Sequence, residues 1–115
     1  MTHKDLIVWR KSMELVVLIY EFVGKLPKIE RFGLISQMQR AAVSVPSNIA
    51  EGAGRNSKKE LLRFLYISQG SLSELNTQIQ ICQMLKLSYP GPELMDKLDH
   101  TGKLLTNLIK SLKTE

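Results

Sequence analysis

Apolar side chains recur every three or four residues in four segments of the chain, and no segment shows the two-residue alternation of a half-buried strand. Glycine- and proline-rich stretches separate the segments. The pattern predicts an all-α protein with helices at about 5–25, 33–54, 57–86 and 92–113. Because the connections are short, we expect one domain, residues 1–115, folded as an up-down-up-down antiparallel four-helix bundle.

The first segment is more apolar than one core face requires. Its predicted core stripe is Leu6, Trp9, Met13, Val16, Tyr20 and Val23, yet residues 15–20 are apolar on every side of the helix. A second subunit would cover the excess surface, which gives a predicted oligomer interface at Leu15, Val17, Leu18 and Ile19. The alternative is that this helix lies at the centre of its own bundle.

The other three segments carry clear helix signals. Pro46 interrupts the second, which predicts a kinked helix or two short ones. Ser57 and Glu60 form a capping box at the start of the third, and Pro92 suits the first position of the fourth. The third helix holds a heptad stripe in which Ser68 is the one polar member: Leu61, Leu65, Ser68, Leu72, Leu75, Ile79 and Cys82.

Composition narrows the class of protein. Apolar residues make up 43% and charged residues 23%, as in an ordinary globular protein. A single cysteine and the lack of a leader-like start predict a cytoplasmic protein. No apolar run approaches the roughly 20 residues of a membrane span. Sixteen Lys and Arg against eleven Asp and Glu give +5, which favours an anionic partner.

One stretch of the sequence resembles a known family. The run from Gln37 to Gly52, with a proline inside a helix followed by Ser-Asn-Ile-Ala-Glu-Gly, is similar to the proteins first noticed as reading frames inside intervening sequences of bacterial 23S ribosomal RNA genes. Leu6 to Trp9, Phe32 to Leu34 and Gly70 to Leu75 extend the similarity. The resemblance implies a four-helix bundle that forms rings, typically pentamers. A related retroelement accessory protein binds nucleic acid and a reverse transcriptase, so the resemblance also implies an RNA or ribonucleoprotein partner.

Candidate chemistry is sparse. His3 and His100 have no second ligand at a recognised metal spacing, and Asp96 beside His100 is typical of a solvated contact. Cys82 lies in the heptad stripe, as a small buried apolar residue would. No nucleophile motif is present. We therefore expect that the protein is not an enzyme and that it binds no metal, cofactor or small-molecule substrate.

The turn between the second and third helices is a candidate anion site. Glycines 52 and 54 lead to a helix start whose free amides favour anions, although an ordinary glycine cap and N-cap explain the same residues. The predicted topology gathers basic residues at this end of the bundle. The candidate nucleic-acid contacts are Arg10, Lys11, Arg55, Lys58, Lys59, Arg63, Lys110 and Lys113.

A polar cluster on the second and third helices comprises Arg40, Asn48, Glu51, Ser71 and Glu74. Antiparallel pairing predicts interhelical ion pairs of Arg40 with Glu74 and of Glu51 with Arg63. An enzyme using Arg40, Glu51 and Glu74 is the least favoured alternative. The leading hypothesis is a non-enzymatic homo-oligomer that binds RNA or a ribonucleoprotein through its basic end. A protein-binding scaffold without nucleic-acid binding is the second.

Overall fold

The computed structural model describes residues 2–114, and these residues form four long helices and no strand. The helices are α1 (Ile7–Val23), α2 (Ser36–Ala53), α3 (Lys58–Met84) and α4 (Pro92–Lys113). Short helical turns precede α1 and join α1 to α2, where a π-helical turn, Arg31–Ile35, leads directly into α2. The predicted all-α class with four helices is confirmed. No helix of residues 2–114 combines the length and apolarity that crossing a bilayer demands.

Each helix packs mainly on two others. α2 contacts α1 and α3, and α4 contacts the same two helices from the other side. The predicted heptad stripe of α3 is buried from Leu65 to Cys82, with Leu61 partly buried, and it includes the polar Ser68, whose hydroxyl donates a hydrogen bond to the Val45 carbonyl at 2.8 Å. The hydrogen bond satisfies a hydroxyl that would otherwise be costly to bury.

The predicted core face of α1 is only partly correct. The buried residues are Val8, Ser12, Leu15, Ile19, Phe22 and the predicted Val23. Of the other predicted residues, Leu6, Trp9 and Val16 are partly buried against the core, whereas Met13 and Tyr20 are exposed. Since residues 15–20 are apolar on all sides, spacing alone does not reveal which face turns inward. The polar member of the true stripe, Ser12, donates its hydroxyl proton to the Trp9 carbonyl at 2.7 Å.

α2 and α3 approach each other closely at Gly52. A Cβ atom added there would lie 2.9 Å from the Cβ of Phe64 and 3.2 Å from the carbonyl oxygen of Leu61. Residues late in α2 thus meet residues early in α3, so these two helices run antiparallel. α2 is one continuous helix through Pro46, which excludes the alternative of two short helices.

The helix ends follow local chemistry. Ser57 accepts a hydrogen bond from the Glu60 amide at 3.0 Å, and Pro92 opens α4 as predicted. Only this half of the predicted capping box forms, because the Glu60 carboxylate accepts hydrogen bonds from Arg63 instead of the Ser57 amide. α3 ends in a Schellman motif, because the Leu87 amide bonds to the Cys82 carbonyl at 2.9 Å. Lys86 occupies the left-handed position of that motif, with φ 57°. Glycine is the usual residue at this position, so the lysine backbone is strained.

Candidate nucleic-acid interface

Basic residues meet where the α2–α3 turn lies beside the end of α4. Arg55 and Lys58 line the same shallow cavity of about 320 Å³ as Leu112 of α4. The last turn of α4 carries two further lysines. We define the basic end as Arg55, Lys58, Lys59, Arg63, Lys110 and Lys113.

Two arginines of the basic end are held by an aromatic ring. The guanidinium carbons of Arg55 and Arg63 lie 5.1 and 4.4 Å from the centre of the Phe64 ring. Each also pairs with a carboxylate of its own helix turn, Arg55 with Glu51 at 3.4 Å and Arg63 with Glu60 at 3.1 Å. These contacts fix the two guanidinium groups within the surface.

The charged groups of the basic end shift one another's pKa values. The hydrogen bond from Arg63 is the main reason that the pKa of Glu60 lies below its ordinary value, and the pKa of Arg63 is raised by the same bond. Lys59, Lys110 and Lys113 form no ion pair with any carboxylate of residues 2–114. Their charge is open to an external anion.

Lys11 lies outside the basic end, contrary to the prediction, and Arg10 stays a predicted contact. Lys11 pairs with Glu14 at 3.7 Å, and Glu14 also bonds to Lys97 near the start of α4. Thirteen residues of α4 separate Lys97 from Lys110 (110 − 97), or about 20 Å along a helix. Lys11, which pairs with the same carboxylate as Lys97, therefore lies well away from Lys110.

The polar cluster is only partly assembled as predicted. The Asn48 side-chain amide donates to the Ser44 hydroxyl at 2.9 Å, and the Ser71 hydroxyl donates to the same oxygen at 2.8 Å. Ser44 was missed, although its spacing of four from Asn48 places both on one helix face. Arg40 and Glu74 line the neighbouring groove of about 220 Å³.

Neither predicted interhelical ion pair forms. Within residues 2–114, Arg40 and Glu74 make no salt bridge, so that prediction is wrong. Glu51 pairs with Arg55 instead of Arg63, because a partner one helical turn away is reached at less cost in side-chain order.

The predicted oligomer interface is divided between core and surface. Leu15 and Ile19 have no exposed surface and belong to the chain's own core, so their assignment to an interface is wrong. Val17 is 58% exposed and Leu18 is partly buried. Exposed apolar residues form an outer stripe on α1 (Met13, Val17, Tyr20) and a second, interrupted one on α3, where Ile81 lies about 21 Å along the helix from Tyr66 and Ile67.

The remaining candidate residues, the histidines and the cysteine, do not form a common site. The His3 ring packs edge-on against Trp9 at 5.0 Å. Cys82 is fully buried, and burial, with the nearby Glu30 carboxylate, raises the pKa of its thiol. Among residues 2–114, no three His, Cys, Asp or Glu side chains group as a metal ion requires.

A family model described as 23S rRNA-intervening sequence protein matches residues 4–107 of the chain. The match includes α1, α2 and α3 in full and most of α4. No curated protein matches the chain.

Proposed function

We propose that this chain, which belongs to the 23S rRNA-intervening sequence protein family, is a non-enzymatic cytoplasmic protein that assembles with copies of itself and binds RNA or a ribonucleoprotein. The observation that carries the proposal is the basic end, where six cations stand against two carboxylates among the described residues, Glu51 and Glu60. Phosphate oxygens are the natural partners of such a surface.

The basic end combines two kinds of cation. Arg55 and Arg63 are held against Phe64, so binding phosphate costs them little side-chain entropy. The lysines Lys59, Lys110 and Lys113 carry mobile charge. Contacts of this kind read the phosphate backbone and carry no base sequence directly. We therefore expect weak sequence preference and strong salt dependence.

Self-assembly is supported by the two outer stripes. α1 and α3 each pack mainly on α2 and α4, which places their outer stripes on different sides of the bundle. Two different apolar surfaces favour a head-to-tail contact, which closes into a ring when the rotation between subunits permits it. The family resemblance implies five subunits. A ring would repeat the basic end around its axis and raise avidity for a long nucleic acid.

The proposal includes two finer features of the fold. An up-down-up-down order is supported by the bond between Lys97 of α4 and Glu14 of α1, and by the side-chain amide of Gln69 in α3, which donates to the Thr106 hydroxyl of α4 at 3.4 Å. A kink of α2 is supported by Pro46, which has no amide proton for the helical ladder.

The test replaces Arg55, Lys58 and Lys59 together with alanine and measures affinity for single-stranded RNA across a salt series. Each lost phosphate contact should flatten the slope of log K against log salt by about 0.7, so the triple variant should lose about 2. The matched control removes Lys25, Lys28 and Lys86, three exposed cations outside the basic end, and should leave the slope unchanged. An unchanged slope in the first variant, or an equal loss in both, refutes the proposal.

A protein-binding scaffold without nucleic acid is the second candidate, because the outer stripe of α1 also suits a protein partner. Native mass spectrometry of protein purified without nuclease separates the two. A multimer with added nucleotide mass supports the first candidate, and a bare multimer supports the second. A monomer contradicts the assembly on which both depend.

A further inference from the structure

A second unusual surface lies far from the basic end. The connection from α1 to α2 and the connection from α3 to α4 share one end of the bundle, because α2 begins where the first connection ends and α3, which runs antiparallel to α2, ends where the second begins. α2 begins at this end and finishes at the basic end 18 residues later, about 27 Å away along the helix.

Large apolar side chains stand out from this end into solvent. Among residues 2–114, the five most exposed large apolar side chains all belong to it. We define the apolar tip as Ile29 (90% exposed), Phe32 (90%), Met84 (81%), Tyr89 (64%) and Leu85 (59%). Most single exposed apolar residues need no explanation, but five at one end of a small bundle indicate a contact surface.

The same two connections are basic. Residues 24–35 and 85–91 contain four cations, Lys25, Lys28, Arg31 and Lys86, and one carboxylate, Glu30. All four cations are exposed, and none pairs with a carboxylate of residues 2–114. The two connections that carry the apolar tip therefore have a net charge of +3, from four cations and one carboxylate.

We propose that the apolar tip is a peripheral membrane-binding site that inserts into the surface of an anionic lipid bilayer. Insertion of apolar side chains among lipid chains, together with cations at the level of the headgroups, is the chemistry of interfacial binding. This activity goes beyond the proposed binding of RNA and uses different residues.

Two other partners fit the tip less well. Nucleic acid stacks on aromatic rings, but Ile29, Met84 and Leu85 present no ring to a base. A protein partner that inserts its own apolar side chains needs a cavity at the tip, and no tip residue lines any of the three cavities described in α2, α3 and α4. A fluid bilayer adapts to a protruding tip without a matching pocket.

The first test is co-sedimentation of the full chain with vesicles of phosphatidylcholine alone or mixed with phosphatidylglycerol. We expect binding to the mixed vesicles only. Replacing Ile29, Phe32 and Met84 with serine should reduce partitioning about 100-fold, since each buried apolar side chain is worth at least a severalfold change. Removing Lys25, Lys28 and Lys86 should also reduce it about 100-fold, at about fivefold per cation.

Two controls separate this proposal from general charge attraction. Serine at Ile7, Val43 and Met95, exposed apolar residues outside the tip, should leave partitioning unchanged. The variant lacking Arg55, Lys58 and Lys59 should bind vesicles as the wild type does while losing RNA. The proposal is overturned if the wild-type chain does not bind anionic vesicles. It is also overturned if the tip serine variant binds them as well as the wild type does.

A spectroscopic test locates the contact directly. Phe32→Trp in a Trp9→Phe background places the sole tryptophan at the tip. Its emission should shift to the blue and become sensitive to brominated lipid when anionic vesicles are added. Unshifted emission in the presence of bound vesicles would show that another surface makes the contact and would overturn the proposal.

Discussion

The close approach of α2 and α3 at Gly52 makes the sharpest stability prediction. In Gly52→Ala the new methyl group would lie 2.9 Å from the Phe64 Cβ and 3.1 Å from a Leu61 methyl carbon. The Phe64 Cβ is fixed to the backbone and has no rotamer that avoids the clash, so the helices must move apart. Overpacking of this kind costs about 1–3 kcal/mol. Because alanine has a higher helix propensity than glycine, up to about 1 kcal/mol of this cost is offset.

The net expectation is a loss of about 1–2 kcal/mol in the free energy of unfolding. Urea titration followed by circular dichroism should show the midpoint fall by about 1 M at an unchanged m value, for a chain of this size. Wild type and variant are compared at equal protomer concentration, because assembly adds to apparent stability.

The matched control is Gly102→Ala in the middle of α4, where an added Cβ meets nothing within 4 Å. There the same substitution should stabilise the chain by about 0.5–1 kcal/mol. A lower free energy of unfolding in Gly52→Ala together with a higher one in Gly102→Ala would demonstrate the close contact at Gly52. Equal stabilisation by both substitutions would refute it.

Three further predictions concern single side chains. Ser68→Ala should cost about 1 kcal/mol in urea unfolding, since the Val45 carbonyl loses its buried hydroxyl partner; no loss would mean that the bond is not made. Lys86→Gly should raise stability by up to about 1 kcal/mol by relieving the left-handed lysine, and a fall in stability would contradict that strain. The hydrogen bond from Lys97 is the main reason that the pKa of Glu14 lies below its ordinary value of 4.5, so Glu14 contributes stability above that pH and loses it as pH falls through the folded pKa. Glu14→Gln should therefore flatten the acid side of a stability curve measured against pH, and an unchanged acid side would exclude the contact.

The heptad spacing was sufficient to locate the core face of α3 from Leu65 to Cys82. In α3 the heptad stripe even placed Ser68 in the core, and its partner on α2 explains why a polar residue is tolerated there. Spacing also located the helix start at Ser57, since its hydroxyl and the Glu60 amide are local to one turn. These features depend on residues a few positions apart.

The features that sequence reasoning missed depend on the third dimension. Residues 15–20 of α1 are apolar all round, so the inward face of this helix is set by packing against α2 and α4, which periodicity does not encode. Lys11 was assigned to the basic end, but the level at which it faces α4 depends on how the helices pack, which spacing along one helix does not encode. The pairing of Glu51 with Arg55 was overlooked because the helix register suggested a partner across the bundle, while a neighbour one turn away was closer.

The rate at which a reagent labels the buried thiol of Cys82 reports how often this part of the chain opens. A thiol reagent attacks the thiolate, and Cys82 has no exposed surface and a raised pKa, so labelling must wait for the end of α3 to detach. When opening and closing are faster than labelling, the labelling rate reports the free energy of that detachment. Lipid or a partner bound to the neighbouring connections would slow the labelling of Cys82. The labelling rate of one native residue therefore reports both how often this end of the bundle opens and whether a ligand is bound there.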